Sequence, residues 1–477
     1  MLNERLKACA EYVSGKGIAC DVGTDHAYLA CELIKSGKCS HVIASDINSK
    51  PLESAESTVK KYNISDKVDL ILSDGLEKVP EENVSDVIIA GMGGETIAEI
   101  INNSEWLKNN VNLILQPMTK APYLRIWLYA NGYKITDEKA VRDGKFIYTV
   151  MKAVYCGKKI RLSEFSSIIG HLDFSLDISK EYLKYHTEKL AKIAEEIRET
   201  KYFPESIRKN KISEIMNFLY DNDTVCGNNI CYILNEFYPF NTQEKWDNSG
   251  YLIGNRNKPV FKILLSLDIT KNAVSEAKEK NCNMIISHHP VIFEPLRIIT
   301  ADYVVYQLIE NDISAVCMHT NLDIADDGTN GVIVDKLSEK LEIKSCEPFD
   351  EIGRIINLKK SVSSSELAGI LKEIFGCTVI KYCCDKEIIN KIAVCSGSGG
   401  SMLNTALEKE CDAFVTGDIK HDVWISANNN NISLFDCGHF HTENLVLEHL
   451  KDVLEANFPF IETIVAETSV DPVKYIV

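Results

Sequence analysis

The sequence predicts an α/β protein made of two alternating domains in succession. Three observations carry this prediction. Short β-branched apolar runs alternate with longer amphipathic stretches from Gly17 to Tyr155 and again from about Asn228, the rhythm of parallel strands covered by crossover helices. Asp, Gly and His gather just after those runs, where ligand sites of α/β sheets lie. The charge is unequally divided as well: residues 1–220 hold 30 Lys+Arg against 31 Asp+Glu, so nearly all of the net charge of −17 belongs to the rest. At 477 residues the chain exceeds one ordinary domain.

In the first half, the apolar runs predict strands over 18–22, 41–46, 68–72, 86–90 and 111–115, followed by 134–141 and 145–154. Arg142-Asp143-Gly144 joins the last two as a hairpin. Five crossover strands closed by a hairpin give the order of a seven-stranded, Rossmann-like class I methyltransferase sheet, over residues 1–157. From 158 to 222 glycine is absent apart from Gly170, and Leu183, Leu190, Ile193 and Ile197 recur at helical spacing. These predict a helical hairpin ending at the polar break Asp221-Asn222-Asp223. The second α/β domain is expected over 223–477, with strands at 260–267, 283–287, 313–318, 353–358, 391–395, 412–416, 432–436 and 461–467.

The strand ends of the first domain suit a nucleoside. Strand one closes on Asp21-Val22-Gly23-Thr24-Asp25-His26, and strand two on Asp46-Ile47, 25 residues after Asp21. Gly23 lets a ligand approach the backbone at a helix start, and an acid ending the next strand can hold two ribose hydroxyls. A dinucleotide binder would carry a second glycine where Asp25 stands. A carboxylate there repels a pyrophosphate but can hold a cationic amino-acid end, which favours S-adenosylmethionine over a nicotinamide cofactor and leaves an oxidoreductase as the rival reading. Asp74-Gly75 closes strand three, where the acid could accept from an adenine amino group. Gly91-Met92-Gly93-Gly94 closes strand four compactly enough for a flat substrate to slide along the backbone. Other roles fit the same residues: Asp46 and Asp74 as helix caps, Gly93-Gly94 as a tight turn, and His26 as a cap rather than a cofactor contact.

The runs Asp21-Val-Gly-Thr-Asp-His-Ala-Tyr-Leu29, Ala44-Ser-Asp-Ile-Asn48, Ser73-Asp-Gly-Leu76, Ala90-Gly-Met-Gly-Gly94 and Leu115-Gln-Pro-Met118 resemble the bacterial tRNA (adenine-22, N1) methyltransferase family over about residues 1–220. Ala30 stands where that family usually has proline. The resemblance implies S-adenosylmethionine as cofactor, held by Asp21, Gly23, Asp25, His26, Asp46, Ile47, Asp74, Gly75, Gly91, Met92 and Gly93, with tRNA as partner. Asp25 is the candidate catalytic residue, chosen by its location. Residues 151–220, with 13 Lys+Arg against 10 Asp+Glu, are either the phosphate contacts or a solvated helical face.

In the second half, Ser287-His288-His289-Pro290, His319-Thr-Asn-Leu-Asp323 and Gly438-His439-Phe-His-Thr-Glu443 each follow an apolar run. Imidazole with carboxylate suits zinc, iron or manganese, and more than four such groups at one place suggest two ions sharing a carboxylate. With Trp246-Asp-Asn-Ser-Gly250, Ser396-Gly-Ser-Gly-Gly400 and Thr416-Gly-Asp-Ile-Lys-His421, these segments resemble the Nif-three-like dinuclear metal-centre family, named for GTP cyclohydrolase I type 2, over about 225–477. That resemblance implies two divalent ions on His288, His289, Asp323, His439 and Glu443, hydrolysis of a small molecule such as a nucleotide, and homo-oligomers built as hexameric toroids. His319, Asp418 and His421 are expected as supporting or substrate groups or as ordinary packing, and His441 as an extra ligand or base. A metal-binding scaffold without catalysis is the alternative.

Sixteen cysteines without a CxxC pair read as buried reduced thiols of a cytoplasmic protein. The acidity of the second half argues against nucleic acid there, and no apolar run is long enough for a membrane span.

Overall fold

Apolar runs bounded by polar turns set the elements of a computed structural model that describes residues 2–199 and 203–476. The chain divides into two units, Met1–Val225 with Glu455–Phe460, and Cys226–Leu454 with Ile461–Val477.

In the first unit the strands are β1 (Ile18–Val22), β2 (Val42–Asp46), β3 (Val68–Leu72), β4 (Val84–Gly93), β5 (Asn112–Thr119), β6 (Tyr133–Asp143) and β7 (Phe146–Tyr155). They form one sheet in the order β3-β2-β1-β4-β5-β7-β6, parallel except for β7, which runs antiparallel to both neighbours. The helices are α1 (Glu4–Tyr12), α2 (Tyr28–Lys35), α3 (Ser49–Lys61), α4 (Gly94–Asn102), α5 (Ala121–Ala130), α6 (Glu164–Ile169), α7 (Asp177–Glu199) and α8 (Phe203–Asn222). Asn3 starts α1 by accepting from Leu6 N at 3.0 Å. Leu29, Ala30, Cys31 and Leu33 of α2 pack with Val42 and Ala44 of β2 in a buried cluster. Gly144, with φ +61°, turns the β6–β7 hairpin. Two strands outrun expectation: β4 and β5 keep pairing through Met92–Pro117 and Gly93–Thr119 after a register shift. Gly93-Gly94 is therefore no free turn, because Gly94 opens α4 directly.

A buried ion pair ties this sheet to its helices. Arg125 of α5 and Glu138 of β6 are 1% and 0% exposed, with Arg125 Nη2 donating to Glu138 Oε1 at 2.6 Å. Arg125 also donates to the Ser167 carbonyl at 2.6 Å and to Thr149 Oγ1 at 3.1 Å, while Glu138 Oε2 accepts from His171 N at 2.8 Å. Each buried charge thus has several partners, the condition under which such a pair can persist.

In the second unit, Glu462–Val465, Lys262–Ser266, Met284–Ser287 and Ser314–Cys317 lie parallel in that order, with Gly250–Ile253 antiparallel at the edge. A six-stranded sheet orders Ile343–Phe349, Gly353–Val362, Ile389–Val394, Ala413–Thr416, Ser433–Asp436 and Lys381–Cys383. Three of these strands were not expected from sequence: Gly250–Ile253, Ile343–Phe349 and Lys381–Cys383. All three pair antiparallel at sheet edges, and five consecutive residues of Ile343–Phe349 are exposed, so no apolar run marks it. Among the described residues no helix is long and apolar enough to cross a membrane.

Removing one member of the Arg125–Glu138 pair strands the other. Arg125→Met should cost about 3–5 kcal/mol, and Arg125→Met/Glu138→Met should recover much of that in denaturant unfolding. Asp21, 6% exposed at the end of β1, has its pKa raised to about 6 by burial and by the charge of Asp46, against a hydrogen bond with Thr24. The native state therefore binds more protons than the unfolded chain between roughly pH 4 and 6, and this contribution to stability is lost as pH rises through that window. Calorimetric unfolding of wild type and Asp21→Asn should show the variant gaining relative stability from pH 4 to 6, then a constant advantage of up to about 3 kcal/mol.

Candidate functional site

Parallel pairing puts the carboxyl ends of β1 to β4 on one edge of the first sheet, and the residues singled out from sequence lie there. Gly23 N and Thr24 N donate to the Ser45 carbonyl at 2.8 and 2.9 Å, which fixes the loop after β1 against the end of β2. Gly23 has φ +81°, and a Cβ on it would meet Met92 Cε at 2.2 Å. Gly91 N donates to Gln116 Oε1 at 3.1 Å. Asp46 caps its own turn by accepting from Asn48 N at 2.8 Å. Asp25, Ile47 and Asp74 are exposed and Gly75 is half-buried. His26 Nε2 lies 3.3 Å from Asp25 Oδ2.

The second unit brings its histidine segments together. His288 and His289 follow the strand Met284–Ser287, held beside the neighbouring strand end by His289 N donating to the Leu267 carbonyl at 2.9 Å. Each of four imidazoles has its Nδ1 committed to an acceptor. His288 faces the Met318 carbonyl at 2.9 Å, His289 faces Asp268 at 2.8 Å, His319 faces Asp247 at 2.8 Å, and His439 faces Asp418 at 2.9 Å. Such partners fix ring and tautomer and leave Nε2 for a ligand. The Nε2 atoms of His289 and His439 approach to 3.3 Å, and each stands 3.0 Å from Glu443 Oε2. His439 and Glu443 share one face of the helix His439–Asn444. Asp323 Oδ1 is 3.6 Å from His288 Nε2.

The donor set fits metal. His288 Nε2, Asp323 Oδ1 and Glu443 Oε2 are buried without a hydrogen-bond partner, an arrangement that a cation would satisfy. Donor atoms of His288, His289 and His319 lie within 4.8 Å of one another, as do those of His289, His439 and Glu443. Gly397, at φ +65°, leaves room for Glu443, since a Cβ there would lie 2.2 Å from Oε1. Burial opposes charge on His289, yet Asp268 and Glu443 push it up to about 10. The Glu443 carboxylate, 3.0 Å away, outweighs burial at His439 and raises it to about 9. Burial also opposes ionisation of Glu443, but the surrounding imidazoles hold it well below the carboxylate range. Burial raises Asp323.

His319, expected from sequence as a supporting or substrate group or as ordinary packing, has its ring 5.2 Å from that of His288 and 5.5 Å from that of His289, inside the first donor group. Asp418 does support His439. His441 instead turns to Asp471 at 3.2 Å, and His421 is exposed at the start of the helix His421–Asn429. Asp268 was missed. Its signal was present, an acid two residues past the strand Lys262–Ser266, next to the one that carries His288.

Residues 226–472 match the family Duf34/NIF3 (NGG1p interacting factor 3), and residues 2–151 match a methyltransferase domain. A GTP cyclohydrolase 1 type 2 homolog of Clostridium acetobutylicum is 34% identical over 263 residues, 52% of this chain and 97% of that protein. One from Clostridium perfringens is 33% identical over 52% of this chain and 99% of its own length. The tRNA (adenine(22)-N(1))-methyltransferase of Bacillus subtilis is 35% identical over 153 residues, 32% of this chain and 64% of that protein. The chain belongs to the Duf34/NIF3 family and carries, ahead of the family's domain, a methyltransferase domain homologous to a tRNA (adenine(22)-N(1))-methyltransferase.

Proposed function

We propose that the first unit methylates N1 of adenine 22 in tRNA with S-adenosylmethionine, and that the second binds two divalent ions and hydrolyses a small, nucleotide-like substrate. The first reading is carried by the likeness to the Bacillus subtilis enzyme together with the row of Asp21, Gly23, Asp46, Asp74 and Gly91–Gly93 at one sheet edge. Asp46 would hold the ribose, Asp74 with Gly75 the adenine, Ile47 a face of that ring, and Asp21, Gly23 and His26 the loop around the amino-acid end. The cofactor supplies an electrophilic methyl group when bound. Adenine N1 carries its own lone pair, so the reaction needs alignment more than a strong base. Asp25 is the carboxylate proposed to stand beside the adenine and oppose the positive charge it acquires.

The metal reading is supported by the backed Nε2 atoms of His288, His289 and His439, which converge on Asp323 and Glu443, with His319 in the same donor group as His288 and His289. His288, His289, Asp323, His439 and Glu443 would hold zinc, iron or manganese, with His319 as a further donor. Such ions lower the pKa of water and polarise a carbonyl or phosphoryl oxygen, making the atom it is bonded to more electrophilic. Asp247, Asp268 and Asp418 orient the rings. We further propose a cytoplasmic homo-oligomer, a hexamer.

Three measurements test these readings. tRNA from a deletion strain should lack N1-methyladenosine by nucleoside mass spectrometry, and wild type but not Asp46→Ala should restore it; persistence of the nucleoside in the deletion sinks the first reading. Gly23→Ala should lose calorimetric S-adenosylmethionine binding, because the added methyl strains a positive φ and meets Met92. Gently purified protein should hold about two ions per chain, and Asp268→Asn or Asp418→Asn should weaken retention against a chelator by roughly 10–100-fold. A wild-type content of one ion or none counts against the paired site.

A further inference from the structure

A cavity of about 1070 Å³ in the first unit is lined by none of the residues proposed to hold the methyl donor. Its walls come from the end of β5, the start of α5, the β6–β7 hairpin, and α6, α7 and α8. Pro117 and Met118 line it directly after Gln116, the residue that anchors Gly91 N, so it opens beside the strand ends that carry the proposed reaction.

Two properties set this groove apart from an ordinary cleft. Tyr123, Phe146 and Tyr185 line it while 44%, 55% and 59% exposed, and Tyr148 stands 6.1 Å from Phe146 between ring centroids. Several exposed rings gathered along one groove mark an interaction surface, and their faces can stack on a flat partner. The groove also collects positive charge. Lys120, Arg142, Lys145, Lys189 and Lys209 line it against a single carboxylate, Glu164, although residues 1–220 as a whole are almost neutral. Lys120 pairs with Glu95, Arg142 with Glu181, and Lys209 with Glu164. Among the described residues Lys145 and Lys189 make no ion pair, and Lys145 Nζ lies 5.2 Å from the Phe146 ring centre.

Aromatic faces interleaved with cations suit a single-stranded nucleic acid, whose bases stack while its phosphates pair. An adenine delivered to a methyl donor has to leave its stack, and its neighbours then lose stacking too. Building on the methyltransferase reading, we infer that this groove binds the unstacked nucleotides flanking the target adenine, with Tyr123, Phe146, Tyr148 and Tyr185 replacing the lost base stacking and Lys145 and Lys189 meeting the phosphates. The groove is thus a positioning and specificity element for RNA, separate from the residues that hold the methyl donor.

The test measures binding of unmodified tRNA transcript to the full chain across a salt series, with S-adenosylmethionine affinity by calorimetry on each variant. Phe146→Ala and Tyr185→Ala should each weaken tRNA binding by about 10-fold or more, while Tyr185→Phe, which keeps the ring, stays close to wild type. Lys189→Ala should reduce the slope of log affinity against log salt by about 0.7. S-adenosylmethionine affinity should not change in any of them. All three side chains are exposed, and Lys189→Ala gives an independent reading should an aromatic variant fold poorly. Wild type that methylates tRNA while all these variants bind it normally overturns the groove alone. Wild type that neither binds nor methylates tRNA overturns the methyltransferase reading and the groove with it.

Discussion

Parallel strand pairing is the constraint on which both candidate sites depend. In a parallel sheet the backbone hydrogen bonds of each strand are used by its neighbours, and the carboxyl ends emerge together on one edge. Short loops that leave this edge must turn into helices, so polar residues there face a common space. In the first unit this aligns the loops after β1, β2, β3 and β4. In the second it aligns His288 and His289 with His319, because Met284–Ser287 pairs in parallel with Ser314–Cys317. Residues far apart in the chain become neighbours without any direct bond between them.

At the second site electrostatics decides what that neighbourhood can do. Asp323 and Glu443 are buried beside imidazoles, while Asp247, Asp268 and Asp418 stand behind three of the rings. Against burial, Asp268 and Glu443 favour a proton on His289, and Glu443 favours one on His439. A divalent ion would replace those protons and satisfy the orphaned Nε2 of His288 and the oxygens of Asp323 and Glu443 at once. Backbone shape contributes as well, since a Cβ on residue 397 would lie 2.2 Å from Glu443 Oε1.

The first unit shows a different use of buried charge. Arg125 and Glu138 occupy the junction of α5, β6, β7 and α6, where their remaining hydrogen-bonding capacity is taken by the Ser167 carbonyl, Thr149 and His171 N. That network fixes the hairpin and α6, two of the walls of the aromatic groove.

Periodicity in the sequence was enough for the seven strands of the first sheet and the parallel strands of the second unit, because fully buried strands must be apolar and helices must carry a stripe. The strand-end residues were legible for the same reason: Asp21, Asp46, His288, Asp323 and Glu443 each interrupt or follow such a run. Edge strands such as Ile343–Phe349 escaped, since antiparallel pairing at an edge leaves most of its residues in water and demands no apolar pattern. Ring orientation escaped too. Only the tertiary structure decided that Asp268 backs His289, that His319 joins the donor group and that His441 leaves for Asp471, because those choices depend on distances between strands that spacing along the chain does not encode.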